Sequence, residues 1–257
     1  MRLSIVLAMI IVCSVAALFA YAVQRAREAA RQSSCQGRMN QIELALRSYE
    51  STNGHLPPAY VLGPDGKPWH SWRVLILPYL EEQQAFAKYR FDEPWNGPNN
   101  RTLEDKINTD SFQCPSSTDF GRTRNTNYLV VVGDGTAFPG DKTTKFADFR
   151  DGVENTVLLV EAVNSDIHWM EPRDLEFDSL SIGESSPDAP AVSCPHSRGP
   201  GVVFADHITC YPLQQPFSAE SLRALTTIAG GESVTRDSLL DPEGARQLRD
   251  IGNVRTR

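Results

Sequence analysis

Residues 3–23, LSIVLAMIIVCSVAALFAYAV, and the unbroken continuation QRAREAARQSSCQGRMNQIELALRSYE at residues 24–50 decide the architecture. The first run opens with Leu3, closes with Val23 and contains no charge, proline or glycine. Wound as a helix at about 1.5 Å per residue, its length matches a hydrocarbon core roughly 30 Å thick. This predicts a transmembrane segment whose partner is the lipid bilayer. A cleavable signal peptide is the competing reading, because Ala20-Tyr21-Ala22 fits the small-x-small cleavage pattern and Arg2 supplies a short basic region. Signal peptides usually carry only about 7 to 15 apolar residues. The longer run here, flowing directly into a helical pattern, favours a retained anchor.

Beyond the apolar run, Cys35, Met39, Ile42, Leu46 and Tyr49 recur at spacings of four and three, with Arg, Gln, Glu, Ser and Asn between them. That is one apolar stripe on an otherwise solvated helix. The two stretches together predict a single rod of about 70 Å, half in lipid and half packed on a globular head. A kink near Ser33-Ser34 is the alternative.

The remaining composition narrows the function classes. Of 257 residues, 25 are Lys or Arg and 32 are Asp or Glu. Residues 1–50 hold six Arg and three Glu, a net +3, so the rest of the chain carries about −10. An acidic body argues against nucleic acid as a partner. Sidedness is contested within the sequence. Arg25, Arg27 and Arg31 follow the apolar run, which by the positive-inside rule draws the body to the cytoplasm. Cys35, Cys114, Cys194 and Cys210, an even number outside the anchor, suit an oxidising compartment. The expectation adopted is a single pass of the inner membrane with the head extracytoplasmic.

The head reads as α+β. A mixed stretch from Trp69 to Tyr89, interrupted by Pro78, predicts short helical turns. NYLVVV at 127–132, TVLLVEAV at 156–163 and GVVFA at 201–205 predict strands, with residues 208–211 as partner of the last. A short helix is expected after Ser218, its N-cap. The expected organisation is an anchor over 1–23, a helical stem over 24–52, a head over 53–232 and a polar tail over 233–257.

Several residues have the chemistry for a site. Cys194-x-His196 and His207-x-x-Cys210 flank a proposed hairpin and offer soft ligands for tetrahedral zinc. The same thiols can instead form a disulfide or serve separately. Glu171, Asp174, Glu176 and Asp178 offer hard oxygens for calcium, but lack the spacing of a calcium loop and read first as a solvated edge. Ser197, His196 and Asp206 are the residue types of a nucleophilic triad without the elbow that presents the nucleophile, so no enzyme is expected. Gly133-Asp-Gly135 reads as a turn, and Trp69, Trp72, Trp95 and Trp169 as packing.

Nine ordered blocks carry a family resemblance: AVQRAREAARQSSCQ, NQIELALRSYESTNGHLPPAY, HSWRVLILPYLEEQ, YRFDEPWNGPNNR, FQCPSS, NYLVVVGDGTAFPG, FRDGVENTVLLVE, WMEPRDLEFD and HSRGPGVVFAD. Together they resemble a large planctomycete family of pilin-like proteins, a domain of unknown function, over about residues 22–232. The resemblance implies a fold like that of pilins and type II secretion pseudopilins, a long N-terminal helix packed on an antiparallel sheet. Other pilin-like subunits or secretion and envelope proteins are the partners it implies. The family's closing signature, His, nine residues, then Asp-Gly, is matched by His196 and Asp206, with His207 in place of the glycine. Cys35 and Cys114 lie in family blocks and are the candidate pair for a disulfide tying stem to head. Members commonly begin with a leader and an acidic residue that here aligns with Ser4, which implies a fixed anchor rather than a processed, assembling subunit.

Overall fold

The computed structural model describes residues 2–104, 106, 109–206, 210–213 and 217–238. Helix α1, Arg2–Asn53, runs through all 52 of its residues without a break at Ser33-Ser34, about 78 Å in all. Among the described side chains its apolar start is exposed: Leu18 and Phe19 are 69% and 71% exposed, and Ile10, Ile11 and Val15 are similarly bare. It is the one helix among the described residues long and apolar enough to cross a membrane, as a span or a signal anchor. Burial begins where the sequence stripe begins. Cys35, Met39, Ile42 and Leu46 lose all or nearly all contact with solvent, while Leu44, on the opposite face, stays exposed. Each such aliphatic side chain contributes roughly 1.5–3 kcal/mol by leaving water. The helix stops at Gly54, whose positive φ of 80° lets its N–H reach back to the Glu50 carbonyl at 2.7 Å.

The stem packs on a four-stranded antiparallel sheet of order β3-β5-β7-β8: β3 (Tyr128–Leu129), β5 (Val157–Glu161), β7 (Gly201–Phe204) and β8 (Cys210–Pro212). Tyr128 pairs with Glu161, Leu159 with Val203, and Val203 with Cys210. These residues belong to the same packed cluster as Met39 and Ile42 or line its edge. Leu129, Val160, Val202 and Phe204 pack instead with Leu222 of α4 (Ala219–Ala224) and Leu225. Cover on both faces explains why β5 reads as a nearly continuous apolar run. Ser218 caps α4, as its sequence suggests, by accepting the Ser221 N–H.

The strand expected over 127–132 is divided. At Val130 the chain leaves β5: the Val130 N–H donates to Asp174 Oδ1, and β4 (Val131–Val132) pairs in parallel with β6 (Leu175–Glu176). A hairpin of β1 (Tyr60–Leu62) and β2 (Pro68–Ser71), not expected from sequence, takes up the first residues of the stretch from Trp69 read as helical turns. The short turns follow as α2 (Trp72–Leu75), a 3-10 turn at Leu77–Tyr79 and α3 (Gln83–Phe86). Of the expected tail, Arg236–Ser238 forms a 3-10 turn, and residues 239–257 lie outside the described residues.

Candidate functional site

Four chain segments bring polar side chains into the joint between stem and head. Cys35 comes from α1, and Glu161 ends β5. Cys114 follows the 3-10 turn Thr109–Phe112, where Asn127 Oδ1 accepts its N–H at 2.7 Å. His196 precedes β7. One donor atom from each lies within 4.8 Å of all the others, and all four residues are buried. Cys114 Sγ is 3.3 Å from His196 Nε2, Cys35 Sγ is 3.4 Å from Glu161 Oε1, and His196 Nε2 is 3.5 Å from the same oxygen.

Outer contacts fix these orientations. His196 Nδ1 lies 2.8 Å from Glu28 Oε1. Arg31 and the Ser116 hydroxyl both donate to Glu28. The Gly201 N–H donates to Glu161 Oε2 at 3.1 Å, leaving Oε1 facing the thiols. Tyr128 donates its hydroxyl to Cys35 Sγ at 3.3 Å. Position 201 requires glycine for the close approach of stem and sheet, since a Cβ there falls 2.8 Å from both Met39 Sδ and Cys210 Sγ.

The electrostatics follow from burial and proximity. The Cys35 thiol, by hydrogen bonding to Cys114, and next to it His196, hold the Cys114 thiol down at about 4. That same hydrogen bond, with burial, pushes Cys35 up. Burial and the nearby Cys114 raise Glu161 to about 8. Burial alone lowers His196, but its contacts with Cys114, Glu161 and Glu28 outweigh that and bring it to about 9. The contacts thus bias negative charge toward Cys114 rather than Cys35 and favour the protonated forms of His196 and Glu161. The four groups supply ligands for a soft divalent ion, the two halves of a disulfide, or a thiolate–imidazolium pair oriented by Glu28. Cys114 is fully buried, and the cleft of about 570 Å³ nearby is lined by Cys194, Ser193, Val163 and Pro200 rather than by Cys114.

The residues named from sequence are distributed differently from the expected zinc set. Of the described members of that set, Cys194, His196 and Cys210, His196 alone joins the cluster. Cys210 stands in register with Val203, and its sulfur meets Met39 Sδ at 3.4 Å. The Cys194 thiol donates to the His196 carbonyl, and burial raises it to about 12. His207 lies outside the described residues. Cys35 and Cys114, the candidate disulfide pair, are brought together as free thiols. The signature residues have different partners, His196 meeting Glu28 and Cys114, and Asp206 pairing with Arg236.

Two of the four carboxylates considered for calcium are engaged by other partners. Asp174 is buried and engaged by Arg73, the Trp72 indole N–H and the Val130 N–H, while Glu171 pairs with Arg173. Trp72 and Trp169 are core residues, and Trp95 stacks on His168. Glu161 and Glu28 were not singled out from sequence. For Glu161 a signal was available: a lone carboxylate inside TVLLVEAV, where a buried charge requires a partner.

The fold and site define an α+β protein of stem and head, with an apolar helical extension compatible with membrane anchoring. A family model described as "Protein of unknown function (DUF1559)" matches residues 24–222, and the chain belongs to that family. The match starts just after the apolar run and includes Glu28 and all four clustered residues. No curated protein and no solved structure matches the chain.

Proposed function

We propose that this chain is a single-pass, membrane-anchored, pilin-like protein with a structural or interaction role, its head held on the extracytoplasmic side of the inner membrane. The observation that carries this reading is the continuity of α1: one helix is bare and apolar in its first half and buried against the head in its second. A rigid connection of that kind sets the head at a fixed height above the lipid, as suits an architecture of the pilin and pseudopilin type. Partners are then the bilayer and neighbouring envelope proteins or pilin-like subunits. The enclosure of Cys114 and His196 supports a structural use of these residues over catalysis, because no substrate reaches a thiol with no solvent exposure.

Fractionation of cells, followed by protease treatment of intact cells with permeabilised outer envelopes, tests the reading. The expected result is full-length chain in the inner membrane and loss of the head to external protease. Recovery of soluble chain cut after Ala22, or a head protected until the inner membrane is breached, contradicts it.

A further inference from the structure

The geometry points to a second property, independent of anchoring and of sidedness: Cys35, Cys114, Glu161 and His196 form a closed tetrahedral site for one zinc-class divalent ion, which staples the stem to the head. Bonds of about 2.0–2.3 Å to nitrogen, oxygen and sulfur put neighbouring ligands of a tetrahedral ion roughly 3.3–3.8 Å apart. The separations of 3.3, 3.4 and 3.5 Å already lie on that scale. The donor set decides the class of metal. Two sulfurs and an imidazole suit zinc and its tetrahedral analogues, whereas calcium and magnesium take oxygen ligands. With four protein donors the coordination is complete, which is the pattern of a structural rather than a catalytic site.

The second layer has the form that metal centres use. A ligating histidine commonly gives its other ring N–H to a carboxylate, and here His196 presents Nε2 to the cluster and Nδ1 to Glu28, itself held by Arg31 and Ser116. Glu161 has one oxygen tied to the Gly201 N–H and the other aimed inward. The ligand segments are far apart in sequence, and Cys35 alone belongs to the stem, so binding couples helix docking to head folding.

The test uses the full chain in detergent, kept reduced with a non-chelating phosphine. Cobalt(II) is titrated in, and zinc content is measured after dialysis. Expected are about one equivalent of metal per chain and the intense visible bands and thiolate-to-metal absorption of tetrahedral cobalt. Cys114→Ser and His196→Ala should lose these, whereas Cys194→Ser and Cys210→Ser should keep them. Glu28→Gln should keep the spectrum with affinity lowered about 10- to 100-fold. Should Cys114→Ser not fold, two readouts on folded protein decide the matter: the affinity of Glu28→Gln, and protection of Cys35 and Cys114 from alkylation by bound zinc. Absence of stoichiometric binding, binding that survives loss of Cys35 or Cys114, or isolation of the chain from cells with a Cys35–Cys114 disulfide overturns the proposal.

Discussion

His168 shows how a single side chain is committed by its surroundings. Its Nδ1 accepts the Met170 N–H, its ring stacks on Trp95 at 5.1 Å, and its buried Nε2 has no hydrogen-bond partner among the described residues, Glu104 lying 3.9 Å away. Burial, aided by Arg101, Arg124 and Arg73, lowers it to about 4 from the ordinary 6.5. Between those values the unfolded chain binds a proton that the folded chain refuses, so stability falls as pH drops from about 6.5 to 4, by at most on the order of 3 kcal/mol. Melting temperature measured against pH should decline through that window, and His168→Gln should flatten the decline. An imidazole titrating near 6.5 in the folded chain contradicts this. The clustered residues at the joint were only partly legible in sequence. His196 stood out through its place in the signature, and Cys35 and Cys114 as a pair. Glu161 was absorbed into a strand pattern, because apolar periodicity records burial and says nothing of which polar groups converge across segments.

Among the elements, the stem was the most legible, since the 3.6-residue period alone tells which face is buried. Met39, Ile42 and Leu46 are fully buried and Leu44 is 58% exposed, on one helix and within eight residues. This contrast makes a direct prediction. Ile42→Asp places an unpaired charge in the contact and should cost about 3–5 kcal/mol. Leu44→Asp should stay within about 0.5 kcal/mol. Denaturation of the full chain in detergent measures both, and equal stabilities contradict the packed stem. The strands were legible as strands but not in their partners. NYLVVV changes sheets at Val130 because a carboxylate 44 residues away accepts its N–H, a long-range contact that local pattern does not encode. The β1–β2 hairpin was hidden by the prolines around it, although Gly63-Pro-Asp-Gly66 is a turn signal.

For the whole molecule, length and burial together carry the account. A helix of about 78 Å exceeds the roughly 30 Å of a bilayer core, and its final stretch from Cys35 to Asn53, about 28 Å, is the length over which the head is docked. The α+β class, the long helix and the acidic head were legible because they rest on composition and periodicity. The partner was not, since nothing in an acidic, largely self-satisfied surface names one. In the proposed arrangement one uninterrupted helix is lipid-embedded before Val23 and head-bound after Cys35. Nitroxide labels placed singly along α1 in lipid bicelles, with accessibility to oxygen and to a water-soluble relaxant measured at each site, test it most directly. Oxygen access should dominate at Ile10, Ala17 and Phe19, water access at Arg27 and Leu44, and neither at Ile42. Water access at Ala17, or a mobile, relaxant-exposed label at Ile42, contradicts it.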